Sequence, residues 1–581
     1  MKGLVKDFVL LKRIISYSGH VKRLIYISAF LSIMLAVLAP LRPFLVELAF
    51  DDYIMLNDYS GLKLICVLML FCLFIEAVSQ YFYTYLINVI GQEVILKIRE
   101  NLYKHVLSFR FSFFDKTPVG MLVTRVVSDI ETIADIFSQG LFAMISDILK
   151  LIIIISVMIY IDWRLTIISL LTIPLLILAT NWFRIVIKKT FISVRNFISS
   201  QNIFVQERVS GMKIVKLFNV EKQEYNKFKK INSELKAAHV KSILYYSLFF
   251  PIIEILSAIS LSLILWWGGV SALNNSGVTL GEMMAFIMYI NLLYRPIRQL
   301  ADRYNTIQMG LVSSERVFKL YDRAVDAKKH KNKLENISIN GKIEFQNVFF
   351  SYIEGEPVLS DLSFIVQPGK TLAIVGRTGA GKSTIVNLLS RHYDISKGRI
   401  LIDDKSVYDY KNEFLRERIC FVLQDDFIFS DTIINNISLG DSKITRKVII
   451  QASKDIGIHD FIMNFQDGYD FFINERGTML STGERQLISY LRAYVRRPDI
   501  LILDEATSSI DPETETLIKT ATEKVTQNVT SIIIAHRIST IINSDNILVL
   551  DDGINIEYGT HNYLIKNNGE YKQLYDFQFL Q

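Results

Sequence analysis

Six long apolar stretches lie within the first 304 residues of this 581-residue chain and constrain its fold more than any other feature. Each is close to the roughly 20 residues that a bilayer core requires. They are Leu24–Phe50, Leu62–Ile90, Gly140–Ile161, Leu165–Phe183, Ile243–Trp267 and Leu280–Tyr304. A single such stretch could be a buried helix of a soluble domain. Six in succession predict an all-α transmembrane domain, because hydrocarbon accepts only helices or closed barrels.

The composition changes sharply near residue 320, where long apolar runs give way to short alternating segments of ordinary polarity. A chain of this length also exceeds what one hydrophobic core supports. We therefore expect a transmembrane domain over residues 1–320, a linker over 321–340 and a second domain over 341–581. Three cysteines show no metal-binding spacing and no disulfide framework.

The distribution of basic residues predicts the orientation of the membrane domain. The stretch 184–241 carries thirteen Lys or Arg against four Glu, and 91–138 is also rich in Lys and Arg, whereas 51–62 has neither. The positive-inside tendency then places both long loops, both termini and the second domain in the cytoplasm. We expect a multi-pass protein of the cell inner (cytoplasmic) membrane. The basic residues behind the net charge of +6 are segregated by membrane side, so this charge gives no reason to expect a nucleic-acid partner.

The two long inner loops are not uniformly polar. Apolar residues recur at helical spacing through Val94–Phe109 and Phe204–Phe218. This pattern predicts that the membrane helices continue into the cytoplasm and turn there. Each turn would offer a short segment to the second domain.

The second domain contains a glycine-rich motif between an apolar run, Thr371–Val375, and a helical run, Thr384–Leu389. A strand, a glycine loop and a helix in this order form a P-loop, whose backbone N–H groups and helix N-terminus bind phosphates. Lys382 would reach the β- and γ-phosphates, and the Ser383 hydroxyl would ligate Mg²⁺. The predicted nucleotide-binding residues of this motif are Gly376, Arg377, Thr378, Gly379, Ala380, Gly381, Lys382, Ser383 and Thr384.

Two carboxylates and a histidine extend this predicted nucleotide site. The apolar run that begins at Ile500 ends in Asp504 and Glu505. Asp504 would hold Mg²⁺ through its waters, and Glu505 would act as general base toward the attacking water, unless it is only a surface acid. His536 follows the apolar run Ser531–Ala535. It would contact the γ-phosphate, the alternative being a satisfied polar residue at a strand end.

Leu480-Ser481-Thr482-Gly483-Glu484 resembles the signature of the ATP-binding-cassette (ABC) family, Leu-Ser-Gly-Gly-Gln. Other segments resemble the family in order along the chain. The resemblance implies that Tyr352 stacks on adenine, that Gln424 senses the γ-phosphate and Mg²⁺, and that Asp511 belongs to the D-loop, which crosses between subunits. It also implies that the segment at Glu475–Gly477 touches the membrane domain.

Six spans followed by one cassette resemble the half-transporters of bacterial multidrug and lipid export. Segments near 113–121 and 218–224 are similar to their coupling segments. The resemblance implies a type-1 ABC exporter fold joined to an α/β P-loop NTPase cassette, with ATP and Mg²⁺ as cofactors. It further implies a dimer, in which Ser481 and Gly483 of one chain cover the γ-phosphate held by the other.

Two signature positions depart from the family pattern. Thr482 replaces a glycine and Glu484 replaces a glutamine, which adds a side chain and a negative charge where ATP approaches. Heterodimeric exporters of this family often contain such a chain, while the retained Ser481 and Gly483 favour a homodimer. Both assemblies remain open at this point.

The expected activity is ATP-driven export of an amphipathic drug, lipid or peptide. The alternatives are an exporter-shaped importer and an ATP-gated membrane subunit that does not pump. Charges within the predicted spans, Glu76, Glu254, Asp147 and Lys150, have two interpretations. Acidic groups in a cavity would favour cationic amphipaths, whereas pairing between helices, including an Asp147–Lys150 pair, would be purely structural.

Overall fold

The computed structural model describes residues 2–273, 278–323, 334–335, 337–423, 426–474, 477, 479–504, 511–535 and 538–579. It divides into two compact units. The first, a helical unit, comprises Met1–Phe109 and Thr117–Ala324. The second, a cassette unit, comprises Val325–Gln581 together with the short segment Arg110–Lys116.

The described part of the helical unit consists of helices and short turns. Its helices are α1 (Lys2–Ser16), α2 (Lys22–Leu48), α3 (Tyr59–Leu107), α5 (Val119–Val126), α6 (Ser128–Asp135), α7 (Phe142–Ile161), α8 (Trp163–Leu170), α9 (Ile173–Ser210), α10 (Met212–Leu217), α11 (Glu221–Leu273) and α12 (Leu280–Tyr321). A 3₁₀ turn at Tyr17–Val21 and π-helical turns at Ala49–Ile54 and Ile136–Leu141 join some of them.

Five of the helical segments are long and apolar enough to cross a membrane: Gly19–Ile54, Tyr59–Leu107, Val119–Ile161, Trp163–Ser210 and Glu221–Leu273. They contain the first five predicted spans. The sixth predicted span lies in α12, which is one continuous 42-residue helix. Its apolar character is weaker because Glu282, Asn291 and Arg295 interrupt it.

The helices extend well beyond their apolar parts, as the loop pattern predicts. Helix α3 has 49 residues and α11 has 53, about twice the length that spans a bilayer. Inside the unit, buried tyrosine hydroxyls find partners. Tyr289 donates to the Pro40 carbonyl at 2.8 Å, and the hydroxyls of Tyr294 and Thr172 lie 2.5 Å apart. These bonds satisfy polar groups that burial would otherwise penalise.

The cassette unit is an α/β structure. Its helices are α4 (Phe111–Lys116), α13 (Lys382–Leu389), α14 (Asn412–Arg418), α15 (Ile433–Ser438), α16 (Arg446–Asp455), α17 (His459–Met463), α18 (Thr482–Val495), α19 (Pro512–Thr526), α20 (Ile538–Ile542), α21 (His561–Lys566) and α22 (Glu570–Phe579). Its strands are β1 (Ile343–Phe350), β2 (Leu359–Val366), β3 (Thr371–Gly376), β4 (Lys397–Ile402), β5 (Lys405–Ser406), β6 (Ile419–Val422), β7 (Asp431–Thr432), β8 (Phe472–Ile473), β9 (Ile500–Asp504), β10 (Thr530–Ile534), β11 (Asn546–Asp551) and β12 (Ile554–Gly559).

The main sheet has six strands in the order β12-β11-β3-β10-β9-β6. All neighbours are parallel except β12, which pairs antiparallel with β11. A second sheet, β2-β1-β4-β5, is antiparallel. Strand β3 is apolar throughout because both its faces are covered: Leu372 and Ile374 pack into one core, and Ala373 and Val375 pack into the other.

Candidate functional site

The glycine loop follows β3 and runs directly into α13, the order that the sequence predicts. Position 376 requires a glycine because the backbone of Leu550 lies close to it: a Cβ there would be 2.1 Å from the Leu550 carbonyl oxygen. Gly381 has φ +98°, a conformation that L side chains rarely adopt. Arg377, Thr378 and Gly379 between them are exposed. The loop therefore presents its backbone to solvent at the N-terminus of a helix, which suits an anion.

Lys382 is buried, yet its ammonium group is well held by the loop itself. It donates to the Gly376 carbonyl at 2.7 Å and to the Arg377 carbonyl at 3.0 Å. These bonds use two of its three N–H donors. Burial lowers the pKa of Lys382, and the nearby Asp504 carboxylate partly offsets this shift. A phosphate would offset it further, because negative charge stabilises the ammonium form.

Asp504 ends strand β9, two strands away from β3 in the main sheet. Burial raises the pKa of its carboxyl, and the charge of Lys382 acts in the opposite direction. Ser383 lies in the first turn of α13 with an exposed side chain. A hydroxyl and a carboxylate are hard oxygen ligands, so this pair fits Mg²⁺, which in nucleotide sites binds few protein ligands besides phosphate.

Tyr352 is anchored to the helix that follows the glycine loop. Its hydroxyl donates to Thr384 Oγ1 at 3.2 Å and accepts from Asn387 Nδ2 at 3.4 Å. Its ring packs edge-on against Phe350 and Tyr393, with centroid distances of 4.8 and 4.9 Å. The structure thus places Tyr352 beside the P-loop helix. The predicted stacking on adenine stays a prediction.

Gln424, Glu505 and His536 lie outside the described residues, as do Glu475 and the first part of the D-loop, 508–510. The strands that precede the first three are described. Strands β6, β9 and β10 are parallel neighbours, with Val422 opposite Leu503 and Asp504 opposite Ile534. They end at the same edge of the sheet as β3, whose Ile374 also pairs with Ile534.

The signature segment opens helix α18 with a reciprocal cap. The Ser481 hydroxyl accepts from the Glu484 backbone N–H at 3.1 Å, and the Glu484 carboxylate accepts from the Ser481 N–H at 2.6 Å. This is the capping box that the pattern Ser-x-x-Glu favours. Ser481 is exposed, and Gly483 is buried. The Ser-x-x-Glu pattern is visible in the sequence, and the cap shows that Glu484 has a structural role besides the charge it adds.

Asp511 also has a structural role at a helix start. Its carboxylate accepts from the Thr514 N–H at 2.8 Å and caps α19. Hydrogen bonds from the backbone N–H and the side chain of Thr514 hold the pKa of the Asp511 carboxyl below its usual range. A role across a subunit boundary remains a prediction.

The segment Arg110–Lys116 is bound to the cassette by several specific contacts. Arg110 forms an ion pair with Asp394 at 2.6 Å, and Asp115 accepts a hydrogen bond from the Tyr393 hydroxyl. The Phe111 ring stacks on His392 with centroids 4.5 Å apart. The segment predicted near 113–121 thus overlaps this one but begins three residues later. No local pattern in the sequence indicates that Arg110 pairs with the cassette, or which cassette residues contact this segment.

The second predicted segment, 218–224, belongs to the helical unit. Asn219 turns the chain there with φ +52°. Glu224 forms ion pairs with Arg208 and Lys227, which fix the start of α11. In the described structure this segment is therefore the turn after α10 together with the first four residues of α11.

Comparisons with known proteins cover both units. Residues 25–297 match the family model described as the ABC transporter transmembrane region, and residues 359–508 match the ABC transporter model. The ATP-dependent lipid A-core flippase of Syntrophus aciditrophicus is 36% identical over 536 residues, which are 92% of this chain and 89% of that protein. The Bacillus subtilis protein YgaD, named for multidrug export, is 32% identical over 577 residues, 98% of this chain and 99% of that protein.

A solved structure has the same fold over nearly the whole chain. It is described as a bacterial Atm1-family ABC exporter with ATP bound, and it matches with a TM-score of 0.78 and 28% identity. The match covers 96% of this chain and 98% of the other.

Proposed function

This chain belongs to the ABC exporters, membrane proteins whose cassette binds and hydrolyses ATP to drive transport, and we propose that it exports an amphipathic drug, lipid or peptide as a dimer. The observation that carries the proposal is the P-loop geometry. Lys382 is pre-positioned by the Gly376 and Arg377 carbonyls beside the Asp504 carboxylate. A cassette built in this way is organised for phosphate and Mg²⁺.

The proposed roles follow from position and chemistry. Lys382 and the loop N–H groups bind the β- and γ-phosphates, and Ser383 with Asp504 holds Mg²⁺, which neutralises phosphate charge when bound. Tyr352 supports the adenine. Gln424, Glu505 and His536 act on the γ-phosphate, with Glu505 as the base that takes a proton from the attacking water.

The dimer is needed to complete each ATP site. The exposed Ser481 hydroxyl and the N-terminus of the 14-residue helix α18 offer donors to an anion. We propose that they contact the γ-phosphate bound by a second chain. ATP would then favour the closed pair of cassettes, and hydrolysis would release it, because only intact ATP bridges the two chains.

The membrane domain would lie in the cytoplasmic membrane, with both termini and the cassette inside. The basic stretch 184–241 supports this orientation. The lipid and multidrug names of the relatives support an amphipathic substrate.

The test is the direction of substrate movement in proteoliposomes that hold the full chain. We expect ATP added on the cassette side to move an amphipathic dye toward the opposite side. Glu505→Gln should abolish this movement and lower ATP hydrolysis by about 100-fold or more, since general-base catalysis contributes that much. Movement toward the cassette side would indicate an importer. Flux that survives Glu505→Gln would indicate a subunit that does not pump.

A further inference from the structure

Three carboxylates within the predicted spans are paired with arginines on other helices. The pairs are Arg42–Glu76 at 2.5 Å, Arg303–Asp147 at 3.6 Å and Arg298–Glu254 at 3.9 Å. Asp147 thus forms its ion pair with Arg303 rather than with Lys150. Each of these acids thus has an arginine as its ion-pair partner within the chain, which supports the structural interpretation of these charges over a cavity that attracts cationic amphipaths.

Two cations on the helices that carry Asp147 and Arg303, namely Lys150 on α7 and Arg295 on α12, have no such partner among the described residues. Neither Lys150 nor Arg295 forms an ion pair with a carboxylate among the residues that the structure describes. Lys150 lies within electrostatic reach of Glu76, Asp147, Arg295 and Arg303. Arg295 also lies within reach of Asp147, and its side chain is exposed on the chain.

We call the set Arg42, Glu76, Asp147, Lys150, Arg295 and Arg303 the ionic cluster. It contains four cations and only two carboxylates. Lys150 lies at the middle of the apolar stretch Gly140–Ile161, and Glu76 lies at the midpoint of Leu62–Ile90, so both charges are deep in the membrane region. An unmatched charge at such a depth is costly and is typically found where a functional ligand or ion supplies the counter-charge.

We propose that Lys150 and Arg295 bind the anionic group of the transported substrate, so that this exporter selects amphipaths carrying a phosphate or a similar anion. The proposal rests on the proposed export function and names its substrate class. An ammonium and a guanidinium suit an oxyanion, because each donates several charge-assisted hydrogen bonds. A second copy of the chain would add the same excess of positive charge.

The test compares three amphipaths with the same tail and different head charge. The full-length chain in phosphatidylcholine nanodiscs is titrated, without nucleotide, with dodecyl phosphate, dodecylphosphocholine and dodecyltrimethylammonium, and tryptophan fluorescence reports binding. We expect dodecyl phosphate to bind at least about tenfold more tightly than dodecyltrimethylammonium. Equal binding of the three, or a preference for the cation, would overturn the proposal.

Single variants locate the site. Lys150→Gln and Arg295→Gln should each weaken dodecyl phosphate binding by about three- to tenfold and leave dodecylphosphocholine almost unchanged. Lys150→Arg and Arg295→Lys keep the charge and should retain binding, which distinguishes recognition from misfolding. Lys63→Gln and Arg164→Gln remove exposed charges near the ends of spans and serve as matched controls. Unchanged phosphate binding in both Gln variants would refute the assignment.

Two further measurements distinguish a lipid substrate from a soluble anionic one and test export separately from anion binding. Movement of fluorescent phosphatidic acid, but not of fluorescent phosphatidylcholine, in ATP-loaded proteoliposomes would support a lipid substrate. Dodecyl phosphate transport alone would support a soluble anionic amphipath. ATP hydrolysis is recorded on the same samples. If the unmodified chain does not hydrolyse ATP, the proposed export function is contradicted. The affinities measured without nucleotide test the anion site independently of that function.

Discussion

The burial of the Lys382 side chain predicts a pH dependence of ATP binding. Burial lowers the pKa of Lys382 from the ordinary lysine value of 10.5, so the free side chain loses its proton at a lower pH than an exposed lysine does. Bound phosphates would raise that pKa again. ATP binding should therefore take up protons at alkaline pH, and affinity should fall as pH rises through the lowered pKa, by up to about tenfold per unit.

Isothermal titration calorimetry in two buffers of different ionisation enthalpy measures this proton uptake directly. Lys382→Arg is the matched control, since arginine stays protonated throughout this range. The variant should bind ATP without the alkaline buffer dependence. A buffer dependence that is unchanged in Lys382→Arg would show that another group takes up the proton.

The capping box of α18 makes it possible to separate two effects of Glu484, its hydrogen bond and its charge. The carboxylate holds the Ser481 N–H, a bond that a glutamine oxygen can also make. Glu484→Gln should therefore keep the cap, remove the charge and leave ATP hydrolysis at least as fast as in the unmodified chain. Glu484→Ala loses the bond, worth about 1 kcal/mol, and should slow hydrolysis about fivefold if Ser481 must be held in place. Steady-state kinetics with vanadate trapping compares the two variants, and equal behaviour would contradict a role for the cap.

The helices and strands also show which structural features can be predicted from the sequence and which cannot. Strand β3, the glycine loop and α13 were predicted at their observed positions, because apolar runs and glycines are local signals. The long inner helices were likewise predicted from periodicity. Contacts between residues distant in sequence were not. Nothing local to Arg42 indicates Glu76, and nothing near Arg110 indicates Asp394, because such pairs depend on how helices and strands are assembled.

The signature segment bears on whether two identical chains together form one ATP site. The intact cap at Ser481 and the buried Gly483 indicate that the departures at Thr482 and Glu484 leave the signature helix properly formed. We therefore expect a homodimer in which each site uses Lys382 of one chain and Ser481 of the other. Lys382→Ala and Ser481→Ala should each abolish hydrolysis when expressed alone.

Co-expression of the two inactive variants tests this sharing of sites. A mixed dimer of Lys382→Ala and Ser481→Ala chains contains one site with both residues intact. If half of the dimers are mixed, hydrolysis should return to about a quarter of the unmodified level. Lys382→Ala with Glu505→Gln is the matched control: each chain would then damage its own P-loop site, so no mixed dimer has an intact site and no activity should return. An unmodified chain that is inactive alone, and active only with a different half-transporter, would instead establish the heterodimer.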